Sequence, residues 1–253
     1  MNSIAIGAIV FGCVFGGAIA GTLLHGRLPE HHREGDSREV IKLVLGLIAT
    51  IAALVLGLLI ASAHSSYDTQ ESEVRQLAVH IVVLDRILAH YGPETTDARH
   101  LLRQIVEADV GRIWPNERVE STGQPTQEAR QRADAIYDLL AGLSPKTEAQ
   151  RFTQGRSLQL LSDMANTRRL LAEQAGGSLS WPFLVVLVFW LVVLFLGFGL
   201  FARLNATVLA AFFVGAVSVG GAIFLILEMN RPYTGVMQIS SAPIRNALGQ
   251  IGQ

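Results

Sequence analysis

The chain has 253 residues, half of them hydrophobic and only 16% charged. Soluble domains carry about 25% charged residues, so a water-facing globule is excluded. Twenty Lys and Arg against twenty-one Asp and Glu leave a formal charge of −1, which gives no basic field for nucleic acid, and a single cysteine, Cys13, excludes an internal disulfide framework or a thiolate-clustered metal site.

Asp, Glu, Lys and Arg are absent from four stretches: Ser3 to Leu24, Leu43 to Tyr67, Gly176 to Ala202 and Leu204 to Leu227. A hydrocarbon core of roughly 30 Å takes about 20 helical residues, and each stretch reaches that length. Backbone amides in lipid must be satisfied within the chain, so the stretches should be helices. The expectation is an all-α polytopic membrane protein with four transmembrane helices and a helical extramembrane domain inserted between the second and third. Its parts are residues 1–67 (two spans and their loop), 68–176 (the helical domain), 177–229 (two more spans) and 230–253 (a tail).

The first stretch starts Met1-Asn2-Ser3, without the positive n-region of a signal peptide, and is read as a retained span. Gly12, Gly16, Gly17 and Gly21 let another helix approach closely, either in a second subunit or within the same chain. In the following loop, Glu30-His31-His32-Arg33-Glu34 offers imidazoles and carboxylates. Adjacent histidines lack the i, i+4 spacing of helical metal sites, so the solvated-loop reading is preferred and no metal or cofactor is expected. His25 and His64 stand at membrane edges, where a hydrated imidazole is the ordinary role and a pH-sensing or ion-path role the alternative.

The second span ends on Ser62-Ala63-His64-Ser65-Ser66-Tyr67-Asp68. On a helix, Ser62, Ser65 and Ser66 share a face with Thr69. Around a water-filled axis these hydroxyls would replace part of an ion's hydration shell; otherwise they mark a plain membrane edge. No Gly or Pro interrupts Leu58 to Tyr91, so the span should continue into water as one helix. Its seam is Val74, Leu77, Ile81, Leu84, Leu88 and Tyr91, at alternating spacings of three and four. Gly92-Pro93 stops it. Thr95-Thr96-Asp97 can cap the next helix, which presents Ala98, Leu101, Leu102, Ile105 and Val106 and ends near Trp114-Pro115. Residues Asn116 to Pro125 read as a loop, and Thr126 caps a helix whose Ile136, Leu139 and Leu140 point inward. Ser144-Pro145 signals the start of another helix, running to about Gln174. Trp181 and Pro182 open the third span at the interface. An even number of spans puts both termini and the polar block on one side, but basic residues on the two sides nearly balance and do not choose it. No catalytic arrangement is recognisable, and the chain is not expected to be an enzyme.

Two segments carry a family resemblance. Leu56-Gly57-Leu58-Leu59-Ile60 followed by Ser65-Ser66-Tyr67-Asp68 resembles the end of the pore-forming second span of bestrophins. Glu228-Met229-Asn230-Arg231-Pro232-Tyr233-Thr234-Gly235 is similar to the Glu…Pro-Phe-Gly element after their last span, with Tyr233 at the aromatic position. The Leu28-to-His32 loop, Arg203-to-Thr207, and Pro232-Tyr233 with Ile239-to-Pro243 extend the resemblance over nearly the whole chain to the bacterial bestrophin-like integral membrane proteins.

The resemblance implies a homo-oligomer, a pentamer, in the bacterial inner membrane, with termini and helical domain cytosolic. It implies an anion or ion channel lined by the second helix. Ile48, Ile51 and Val55 are the candidates for an aliphatic constriction, and Ser62, Ser65 and Ser66 for an ion-facing mouth. Tyr67, Asp68, Glu228, Pro232, Tyr233 and Gly235 are the family-motif residues. The expected partners are the lipid bilayer, further copies of the chain and an ion ligand. Two features depart from the family. The span Leu45 to Leu56 has no aromatic residue, and the tail Gln238 to Gln253 has no carboxylate for a calcium clasp. The alternative function is a non-conducting membrane scaffold or sensor whose Val74–Tyr91 seam binds a partner protein.

Overall fold

The computed structural model describes residues 2–25, 36–114, 127–174, 181–202, 205–233 and 235–252. Among them there are helices and turns and no strand. Eight α-helices follow in order: α1 (Ser3–His25), α2 (Asp36–Tyr91), α3 (Thr96–Ile113), α4 (Gln127–Ala141), α5 (Glu148–Gln174), α6 (Trp181–Phe201), α7 (Ala206–Met229) and α8 (Ala242–Gln250). Four of them, α1, α2, α6 and α7, are long and apolar enough to cross a membrane, at the four positions expected. The chain forms two compact units, Met1–Tyr67 with Ser178–Asn230 and Asp68–Gly177 with Arg231–Gln253. The Glu30-to-Glu34 cluster, including His31 and His32, lies outside the described residues, as does the Thr126 cap.

In the membrane unit, α1 packs against both α6 and α7. Its inward row Ile6, Val10 and Val14 meets Leu184, Leu187, Leu191 and Leu194 of α6 and Ala216 and Ile223 of α7 in one apolar core. Glycine sets how closely the helices cross. A Cβ on Gly21 would overlap the Leu196 carbonyl, and one on Gly199 the Ala18 carbonyl. Without a hydrophobic driving force in lipid, such close backbone packing is what holds helices together. The glycines of α1 therefore divide: Gly17 and Gly21 serve packing within the chain, whereas a Cβ on Gly12 or Gly16 would meet nothing within 4 Å. His25 closes the same crossing, its Nδ1–H donating to the Leu200 carbonyl at 2.7 Å, one of the acceptors a helix end leaves open. Asn205 caps α7, its side chain accepting from the Val208 N–H at 2.8 Å.

In the extramembrane unit, Val74, Leu77, Ile81, Leu84, Leu88 and Tyr91 are all buried. The chain's own helices fill the seam, so its apolarity no longer calls for a partner protein. Gly92, at φ +137°, ends α2. Thr95 does not cap α3 with its side chain; its hydroxyl donates back to the carbonyls of Leu88 and Gly92. The α3 row is Ala98, Leu102, Ile105, Val106 and Val110. In α4, Ile136 and Leu140 are buried but Leu139 is 43% exposed; at i+3 from Ile136 it falls to the edge of a narrow stripe. The start of α5 also differs from the Ser144-Pro145 signal. Thr147 Oγ1 accepts from the Gln150 N–H at 3.1 Å, and the helix begins at Glu148.

Two ion pairs lock this unit. Arg99 forks onto Asp85 at 2.8 and 3.0 Å. Arg168 of α5 reaches Asp109 of α3 at 2.6 Å, with Arg112 beside it at 3.0 Å. Burial nevertheless outweighs the two guanidiniums and holds the Asp109 carboxyl above the ordinary carboxylate range.

Gly21→Ala should cost about 1–3 kcal/mol, read as a lower melting temperature in detergent, while Gly12→Ala should leave the melting of the protomer fold unchanged. Because its folded pKa is raised, Asp109 favours the folded state more as pH falls through that value and less as pH rises above it. Asp109→Asn should therefore gain stability relative to the unmodified protein as pH is raised from 4 to 7, measured by thermal denaturation.

Candidate functional site

The membrane half of α2 turns only a narrow side to its own unit. Leu45, Ala52 and Ala63 are buried there, and Leu45 fills the notch left by Gly197 of α6. Ile48 and Val55 pack against this same core. At 3.6 residues per turn, the opposite side of the helix carries Leu47, Thr50, Leu54, Leu58 and Ser65. All five are exposed, Leu54 at 63% and Leu58 at 70%. Of the constriction candidates, Ile51 alone is exposed, at 39%, on the margin of that row. Ser62 is exposed and Ser66 half-buried. The six candidates thus divide between a core-facing set (Ile48, Val55, Ser66) and an open set (Ile51, Ser62, Ser65). Thr50, Leu54 and Leu58, neighbours of the constriction candidates, lie on the exposed side. An apolar stretch with no polar face hides from the sequence which side is covered.

Tyr67 is half-buried and Asp68 exposed. Glu228, in the last turn of α7, is 2% exposed, a position where a carboxylate must be paired or hydrogen-bonded. The remaining motif residues build a closed turn in the extramembrane unit. Pro232 is buried, and its carbonyl accepts the Ile239 N–H at 2.7 Å. Gly235 takes φ +119° inside the loop, a conformation with no steric cost only for glycine. The Tyr233 ring stands edge-on to Trp114 with centroids 5.8 Å apart, and Trp114 Nε1–H donates to the Ile239 carbonyl at 2.7 Å. Trp114, read from sequence only as a helix end, is the fully buried anchor of the motif.

The Tyr233 hydroxyl is buried without a hydrogen-bond partner. Burial, and then the charge of Glu73, push its pKa well above the ordinary phenol value. Beyond the turn, α8 buries Ile244 and Ala247, and Arg103 donates to the Ile251 carbonyl at 3.1 Å. Among the described residues no group of three His, Cys, Asp or Glu could hold a metal ion.

Trp114→Phe should cost about 1–3 kcal/mol, because it leaves the buried Ile239 carbonyl without its donor. Tyr233→Phe keeps the ring contact and removes an unsatisfied hydroxyl, so it should be neutral or stabilising. Thermal denaturation of the two variants checks the opposite signs.

No curated protein matches the chain in sequence. Two crystal structures of point mutants of a bacterial bestrophin homologue from Klebsiella pneumoniae match its fold, each at 14% identity over 97% of this chain. They cover 99% and 98% of the Klebsiella chain, with TM-scores of 0.68 and 0.70. The bestrophin-like domain model matches residues 12–244, which takes in the second half of α1, the other three membrane helices, the helical block and the Pro232–Ile239 turn. The chain is a membrane protein and belongs to the bestrophin-like family.

Proposed function

We propose that this protein is an oligomeric ion channel in which α2 of each copy lines a shared axis. The observation that carries the reading is the open side of α2. In the membrane half its exposed row runs from Leu47 to Leu58 and gives way to the hydroxyls of Ser62 and Ser65. Aliphatic side chains ringed around an axis gate by dewetting, and hydroxyls at the mouth replace part of an ion's hydration shell. The exposed residues Thr50, Leu54 and Leu58 supply the constriction, with Ile51 beside them, while Ile48 and Val55 position the helix from its buried side.

In the extramembrane half, Val79 and Val83 are exposed on α2. Apolar side chains on the water-soluble part of a protein gain by being covered, as they would be by neighbouring copies. A pentamer, the inner membrane of a bacterium and cytosolic termini with a cytosolic helical domain complete the reading by analogy with bestrophins. No reaction chemistry is proposed.

Planar-bilayer recording of the purified oligomer is the test. Leu54→Ser and Leu58→Ser should raise conductance several-fold by wetting the constriction, and Ser65→Leu should lower it. No current from a particle confirmed as an oligomer overturns the reading.

A further inference from the structure

The turn that follows α7 buries the apolar groups at its base and leaves those at its tip uncovered. Pro232 and Ile239 are buried, whereas Val236 is 74% exposed and Met237 37%. The tip cannot fold over to hide itself. The Pro232 carbonyl holds the Ile239 N–H, Trp114 Nε1–H holds the Ile239 carbonyl, and Gly235 fixes the bend at φ +119°. Turns in water favour Gly, Asn, Asp and Ser. Valine and methionine on a pinned tip gain only where another surface covers them.

The chain leading into the turn says which surface that is. α7 is a membrane span of 24 residues that ends at Met229. At about 1.5 Å per residue it is long enough to reach from one headgroup layer to the other across roughly 30 Å of hydrocarbon. Arg231 follows two residues later, within about 7 Å of chain, and is exposed. Its guanidinium keeps its charge at every working pH. From Asn230 to Gln253 the chain carries two arginines, Arg231 and Arg245, and no Asp or Glu. Cations beside a span are drawn to anionic headgroups, and exposed aliphatic side chains next to them suit the boundary between headgroups and acyl chains. We infer that Arg231, Val236 and Met237 anchor this turn in the lipid interface. Arg231 pairs with anionic phospholipid, and Val236 and Met237 enter the layer behind the headgroups. The inference stands on the span and the turn, and does not depend on ion conduction.

The test is fluorescence quenching in vesicles of phosphatidylcholine, with and without phosphatidylglycerol. Val236→Cys in a Cys13→Ser background carries a bimane label, and Gln159→Cys, exposed on α5, carries the same label as the control. A phosphatidylcholine with a nitroxide near its glycerol end should quench the label at 236 several-fold more than the label at 159. Iodide in the water should do the reverse. Phosphatidylglycerol should strengthen lipid quenching at 236, and Arg231→Gln should abolish that increment. Raised salt should reduce it by screening. Both labelled positions are exposed, so the labelled proteins should melt with the unmodified one. A label at 236 that iodide reaches as freely as the label at 159 overturns the inference. So does one shielded from iodide yet untouched by the lipid nitroxide, because a neighbouring copy then covers the tip. Lipid quenching indifferent to phosphatidylglycerol and to Arg231→Gln overturns the pairing of Arg231 with anionic lipid.

Discussion

A backbone amide in hydrocarbon has only its own chain to bond to, and that constraint fixes more of this protein than any pair of side chains does. It forces each uncharged stretch into a continuous helix. In α2 no Gly-Pro or Pro stands between Asp36 and Gly92, so nothing stops the helix at the lipid boundary. The result is a 56-residue element that belongs to the membrane unit at one end and to the extramembrane unit at the other. It ends where Gly92 adopts a left-handed conformation and Thr95 ties off the last carbonyls.

What the amino-acid pattern made legible follows from the same physics. Charge gaps locate membrane helices because a charge in lipid is costly, so all four spans were readable. The Val74-to-Tyr91 seam was readable because water makes periodicity informative: one side of a soluble helix must be apolar and the other need not be. The pattern fails inside the bilayer. Leu, Ile and Val satisfy lipid and core alike, so nothing in the string from Leu45 to Leu56 distinguishes Ile48, which packs inward, from Ile51 and Leu54, which do not. Helix boundaries failed for a different reason. Ser144-Pro145 and Thr147 are both competent starts, and the structure uses the second.

The candidate site shows a third limit. The Pro232-Tyr233 motif was visible as a family resemblance, but its physical anchor lies far away in sequence. Trp114 joins it through one indole N–H and one ring edge. A buried tryptophan needs a partner for its single donor, which says that a carbonyl must be near Trp114 but not which one. Ile239 is 125 residues away. Long-range polar pairing of this kind, like the Asp109–Arg168 pair between α3 and α5, is set by how helices stack and leaves no local signature.

Glycine placement separates what the protomer needs from what it does not use. A glycine within a helix costs about 1 kcal/mol relative to alanine, and close approach of another backbone is one thing that offsets the cost. Gly7 and Gly220 face each other's helices, and Gly17, Gly21 and Gly199 meet carbonyls directly; the bundle of α1, α6 and α7 is built on such contacts. Gly12 and Gly16 of α1, and Gly46 and Gly57 of α2, have no atom of the chain within reach of a Cβ outside their own local backbone. Their cost is not offset by a contact among the described residues. On α2 this glycine-bearing side lies next to the exposed leucines Leu47, Leu54 and Leu58. The proposed assembly, with copies packed beside α2 and the leucine row on an axis, would use the small residues and the large ones each by its own size.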